Sequence, residues 1–182
     1  AERRQVEDLF TLEPGDRSRP TTYPRWLRDR AIVLTFMYAG LRLDELFNVR
    51  IPDVTLGDKS GTIFVPMGKG RKERLARIPR EARQALKEWL AWRKPLACSH
   101  EALFVQIRDG EMNSYAPLGQ RSFQTVVANV GQRAGIPDLS PHILRHTAVR
   151  LWRKRAKDDR VVAAQMGHSV ATMMKYDAIS DV

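Results

Sequence analysis

Apolar residues recur along this chain at two spacings, and the change from one to the other divides it into elements. Between Thr22 and Gly40, Trp26, Leu27, Ile32, Val33, Phe36 and Met37 give coverage too wide for a surface stripe, which predicts a central core helix. Thr22 is expected to cap it, with Pro24 in the first turn, where a missing N–H costs nothing. Gly40 stops that helix, and a short one from Leu43 to Asn48 follows directly. Ahead of it, Glu2 to Leu12 reads as a first helix ended by the turn-rich Glu13-Pro14-Gly15-Asp16.

The middle of the chain changes period. Val54 to Leu56, Thr62 to Val65 and Leu75 to Ile78 read as three short strands, with turns at Gly57-Asp58 and Gly68-Lys69-Gly70. The last of these alternates only loosely. Helices then resume over Glu81 to Arg93, Leu118 to Ala134, Pro141 to Lys154 and Asp159 to Met166, with a short one near Ala171 to Tyr176. Neither an internal repeat nor a low-complexity tract interrupts the pattern. The expected fold is mainly α with a small antiparallel β-sheet (α+β), one domain over residues 1–182.

Composition adds a partner class. Lys and Arg number 31 against 21 Asp and Glu, a formal charge of +10 over 182 residues, which favours polyanions through counterion release. The apolar stretch from Ala31 to Leu41 is too short to span a bilayer, and nothing near Ala1 reads as a signal peptide. Cys98 is the one cysteine, which excludes an intrachain disulfide and a thiolate metal cluster; it reads as a half-buried loop residue. These features predict a cytoplasmic protein.

Breaking a phosphodiester without metal or cofactor requires a nucleophile, donors to the non-bridging oxygens and an acid for the leaving oxygen. Arg42 and Arg145 are candidates for the donors, because a guanidinium fork matches phosphate geometry and keeps its charge. The bland alternative for Arg42 is a pair with Glu45 one turn on, and Glu45 can also hold Arg42 in place. His142 and Arg145 lie three apart near the start of a helix with Ser140 as cap, so they share a face. His142 and His146 have a spacing that can bind zinc, but the glutamate of His-Glu-x-x-His is missing and Arg145 would repel a cation. A buried structural histidine is the better reading for His146. Lys69 sits between glycines at a turn, a solvated lysine or a proton donor. Among the tyrosines, Tyr38 lies in the apolar helix, Tyr23 precedes Pro24 and Tyr115 sits in a loop with no cation cluster nearby. Tyr176, eight positions after His168, is a packing residue or the nucleophile, and only the set of cations taken together favours the second.

In order along the chain, these segments resemble the catalytic domain of the tyrosine recombinase (phage integrase) family, in its Xer-like branch. Tyr38-Ala39-Gly40-Leu41-Arg42-Leu43-Asp44-Glu45-Leu46 looks like its first arginine box, and Gly68-Lys69-Gly70-Arg71-Lys72-Glu73-Arg74 like its β-turn lysine segment. Ser140-Pro141-His142-Ile143-Leu144-Arg145-His146-Thr147 is similar to the second box, and Met166-Gly167-His168-Ser169 to the Leu-Gly-His segment. The interval 168 − 145 = 23 is common in Xer-like members, whereas 176 − 168 = 8 is one shorter than usual.

The resemblance implies that Tyr176 attacks the scissile phosphate, forming a 3′-phosphotyrosyl bond and freeing a 5′-hydroxyl. Arg42 and Arg145 would stabilise the charge, Lys69 would protonate the 5′ oxygen, and His142 and His168 would add proton handling. No cofactor or metal is implied. The implied partner is double-stranded DNA, held by a tetramer on two sites when the protein is full length. The family's N-terminal core-binding domain is expected to be absent here, so that this chain is a catalytic fragment or a degenerate protein. Type IB topoisomerase-like relaxation and a catalytically inactive DNA-binding module are the alternatives.

Overall fold

The computed structural model describes residues 2–11, 22–66, 73–96, 98–108, 115–156 and 158–167. In chain order the elements are α1 (Glu2–Thr11), α2 (Thr22–Ala39), α3 (Leu43–Asn48), a 3-10 turn (Ile51–Asp53), β1 (Val54–Leu56), β2 (Gly61–Val65), β3 (Arg74–Arg77), α4 (Arg80–Arg93), α5 (Gln120–Arg133), α6 (Pro141–Ala156) and α7 (Asp159–Met166). The α+β expectation holds. Among the described residues, no helix is long and apolar enough to cross a membrane.

Helix α2 is the axis of the fold, packing against α4, α5 and α6. Its apolar residues reach all round, so Ile32, Val33, Phe36 and Met37 are buried on different sides. Aromatic rings join its neighbours: Phe123 of α5 meets Phe36 and Phe104 edge-on, and Trp89 of α4 stacks on Phe104. The Trp89 indole donates to the Leu103 carbonyl at 2.9 Å, which satisfies its one polar atom inside the core. Thr22 lies within the first turn of α2, one position inside the capping place expected for it.

The sheet runs β1-β2-β3, antiparallel throughout, with Val54 opposite Ile63 and Phe64 opposite Leu75. Ile63, Val65 and Ala76 face inward, while Leu75 points outward and is 62% exposed. The third strand begins at Arg74, one residue earlier than its hydrophobic residues suggest. Its inward face carries Arg74 and Ala76 in place of large apolar side chains, so alternation was a poor guide there.

Gly40 positions the last two helices. Its φ is +68°, and a Cβ built there would stand 2.6 Å from Met166 Sδ and 3.0 Å from the Ala148 Cβ. Only glycine allows both that backbone turn and the close approach of α6 and α7 to the end of α2. A small cluster of Ala148, Val149, Trp152, Val162, Ala163 and Met166 seals this contact, and the Trp152 indole donates to the Tyr38 carbonyl at 2.8 Å.

Candidate active site

Helix α3 starts directly beyond Gly40, so its first turn stands beside the place where α6 and α7 arrive. Arg42 is its N-cap residue and Glu45 lies three residues on; the Glu45 carboxylate accepts the Arg42 backbone N–H at 2.8 Å, closing the turn. The Arg42 side chain also donates to Glu45, Nη1 to Oε1 at 3.0 Å. The local pair and the positioning role expected of Glu45 are therefore one arrangement.

Two further guanidiniums converge on that carboxylate. Arg74 of β3 meets it in a bidentate pair, Nη1 to Oε1 at 2.9 Å and Nη2 to Oε2 at 2.8 Å. Arg145 of α6 lies with Nη1 3.7 Å from Oε2. Burial alone would raise the Glu45 carboxyl. Hydrogen bonds from the Arg74 side chain and the Arg42 backbone, with the charges of Arg74 and Arg145, outweigh it and hold the group at about 2. Glu45 is thus ionised at neutral pH, and the cluster carries a net charge of about +2, three cations against one anion.

Arg145 is fixed by the helix ends around it. It donates to the Gly40 carbonyl and, through Nη2, to the Met166 carbonyl at 2.5 Å. These oxygens end α2 and α7, so a cation there also meets the negative ends of both helix dipoles. Gln165 ties the same junction to the sheet: it donates to the Ala39 and Arg77 carbonyls, each at 3.0 Å, and accepts the Arg77 N–H at 2.9 Å. Side-chain exposure separates the three arginines. Arg145 and Arg74 retain 6% and 9%, whereas Arg42 retains 25% and reaches solvent.

His142 is exposed on the first turn of α6, where the Ser140 hydroxyl caps by accepting the Ile143 N–H at 3.4 Å. His146 differs from the expected buried structural histidine, being half-buried and paired with His142, Nε2 to Nε2 at 2.7 Å. That is a hydrogen-bond separation. Burial, then the charges of His142, Arg150 and Arg145, lower the His146 imidazole below its ordinary value. Three tyrosines are engaged elsewhere: Tyr38 is buried and its hydroxyl donates to Glu7, Tyr23 stacks on Trp26, and Tyr115 meets Trp92 edge-on. Lys69, His168 and Tyr176 lie outside the described residues, as does the short helix expected near Ala171 to Tyr176.

The site therefore brings Arg42 and Arg145 together, as the sequence suggested, and adds Arg74 and Gln165, which it did not. Arg74 was visible only as the last residue of the lysine segment. Gln165 carried one faint signal, a polar residue in the otherwise apolar end of α7 beside Met166.

The phage integrase family profile matches residues 15–181 of this chain. Tyrosine recombinase XerC of Staphylococcus aureus (strain bovine RF122 / ET3-1) is 32% identical over 181 residues, 97% of this chain and 55% of that protein. The crystal structure of XerA recombinase superimposes with a TM-score of 0.76 at 28% identity, covering 96% of this chain and 57% of that one. XerH site-specific recombinase, bound to a palindromic difH substrate in a post-cleavage complex, has a TM-score of 0.76 at 23% identity, covering 99% and 48%. The chain spans about half the length of the curated relatives it matches.

Proposed function

We propose a site-specific DNA strand transferase: this chain belongs to the phage integrase family, and its chemistry is cleavage and rejoining of duplex DNA through tyrosine. The observation that carries this reading is the convergence of Arg42 and Arg145, 145 − 42 = 103 residues apart, on the single carboxylate of Glu45. Two guanidiniums so held can each meet a non-bridging oxygen of one phosphate.

In the proposed step the Tyr176 oxygen bonds to phosphorus and the bond to the 5′ oxygen breaks. Lys69 gives that oxygen its proton, while the proton lost by the Tyr176 phenol passes to a neutral imidazole, His142 or His168, both of which also assist at the phosphate. Attack by a 5′-hydroxyl of a partner strand reverses the sequence. The energy of the broken bond is kept in the phosphotyrosyl ester, so rejoining draws on no nucleotide cofactor. The XerH relative was captured on a DNA substrate, and duplex DNA is the partner proposed here. We extend the proposal to catalytic-domain status for this chain, to a tetramer on two DNA sites in the complete protein, and to a cytoplasmic location.

A nicked suicide duplex, which loses its 5′-hydroxyl fragment on cleavage, tests the reading. A covalent protein–DNA band is expected with EDTA present and is expected to vanish in Tyr176→Phe. A band that persists in that variant would mean a different nucleophile. The absence of any band from the unaltered chain would sink the reading.

A further inference from the structure

The three arginines around Glu45 are not held alike. Arg74 takes both carboxylate oxygens head-on at 2.9 and 2.8 Å, while Arg42 has one side-chain bond at 3.0 Å and Arg145 an ion pair at 3.7 Å. Arg145 cannot easily swing, because the Gly40 and Met166 carbonyls hold its fork. Arg42 can. Among the described residues its Nη2 makes one long contact, 3.4 Å to the Gly167 carbonyl, and its side chain is the most exposed of the three.

Removing the Arg74 fork would take one donor from each buried carboxylate oxygen and the nearest compensating charge, leaving the Arg42 N–H on Oε2, the Arg42 side chain on Oε1 and the longer Arg145 pair. The adjustable donor is Arg42, already bonded to Oε1 through Nη1; turning its Nη2 onto Oε2 would complete a bidentate pair. Such a pair would consume the guanidinium edge that a phosphate needs.

We propose that Arg74 is a positioning residue for strand cleavage: by saturating Glu45, it keeps that carboxylate from capturing Arg42 and leaves the Arg42 fork for the scissile phosphate. Arg74 also donates from Nε to the Gln165 carbonyl at 3.0 Å, so the strand that follows the lysine segment and the helix that precedes His168 are tied to the same carboxylate. Arg74 does not itself meet the phosphate; both its Nη atoms are spent on Glu45 and its Nε on the Gln165 carbonyl. The inference rests on the strand-cleavage reading above.

Single-turnover cleavage of the nicked suicide duplex by this chain tests it, with Arg74→Met, Arg74→Lys, Glu45→Gln and the double variant Arg74→Met/Glu45→Gln. Arg74→Met is expected to cleave at least ~10-fold more slowly at saturating DNA, with the half-saturating DNA concentration changed by less than ~2-fold. The double variant is expected to be at least ~3-fold faster than Arg74→Met, because the competing charge has gone. Arg74→Lys, which keeps the charge but loses the fork, should fall between Arg74→Met and the unaltered chain.

A double variant no faster than Arg74→Met overturns the proposal, as does Arg74→Met cleaving at the unaltered rate. So does weaker DNA binding in Arg74→Met with a salt slope reduced by about 1, the sign of a lost phosphate contact. Should circular dichroism show Arg74→Met unfolded, Arg74→Lys with and without Glu45→Gln decides by the same criterion of relief. If the unaltered chain forms no Tyr176-dependent covalent product, the cleavage reading falls and this inference with it. If it cleaves normally and relief is absent, only this inference falls.

Discussion

Burying the Glu45 carboxylate costs hydration that its guanidinium partners must restore, so its ionisation is linked to folding. Its ordinary value is 4.5 and its value in the fold about 2, a difference of about 3 kcal/mol in favour of the folded, ionised form. With the folded value depressed, this stability is fully present above pH 4.5 and is lost as pH falls toward 2. Urea unfolding of the unaltered chain and of Glu45→Gln should therefore differ most above that window and converge through it. A gap constant with pH would mean that some other group titrates. The two arginines proposed to meet the phosphate should separate on stability. Arg42→Ala and Arg145→Ala are each expected to slow cleavage by about 10²–10³ at saturating DNA, the usual loss for one oxyanion donor. Arg145→Ala should also lower Tm, since two buried carbonyls lose their donor, while Arg42→Ala should lower it less, because Arg74 still holds both Glu45 oxygens.

At the scale of elements, the junction at Gly40 is the most demanding backbone feature of the site. Gly40→Ala would force a side chain into positive φ and against Met166, costing about 1–3 kcal/mol. Gly135 also has positive φ but an empty surround, so Gly135→Ala should cost less, and paired thermal melts decide. Cleavage should fall in the Gly40 variant too, because the Gly40 carbonyl orients Arg145. Elements with local stop signals were legible in the sequence: α3 between Gly40 and Val49, and α7 between the Asp158 cap and Gly167, have the expected bounds. Elements set by distant contacts were less so. Leu118 was expected to open α5, but its N–H donates to the Phe104 carbonyl just past an isolated Val105–Pro117 bridge, and its side chain is buried there ahead of the helix. Arg42 and Arg145 could be picked out because each belongs to a short recognisable segment. The Arg74–Glu45 pair and the Gln165 bonds join residues 29 and 88 or more positions apart, which no local pattern encodes.

Across the whole molecule, charge works at two ranges. Some acids are paired one-to-one away from the site, as in Lys87–Asp58 and Arg155–Glu81, and exposed pairs of this kind add little stability. The surplus of +10 acts at longer range and is open to screening by salt. The Glu45 cluster is different: its cations are mostly buried and its geometry is set by carbonyls and a carboxylate, so dissolved ions reach it poorly. Binding and chemistry should therefore respond differently to ionic strength. If about six phosphates are neutralised, affinity for duplex DNA should fall ~10³-fold between about 50 and 200 mM salt, linearly on logarithmic axes. The single-turnover rate at saturating DNA should change by less than ~3-fold over the same range. Of the two arginines proposed to meet the scissile phosphate, Arg145 is buried and fixed by carbonyls, and Arg42, though it reaches solvent, is held by Glu45. Rates at several DNA concentrations for each salt separate the two quantities. A plateau that collapses in parallel with affinity would mean that solvent-screened cations, rather than the buried cluster, hold the reacting phosphate.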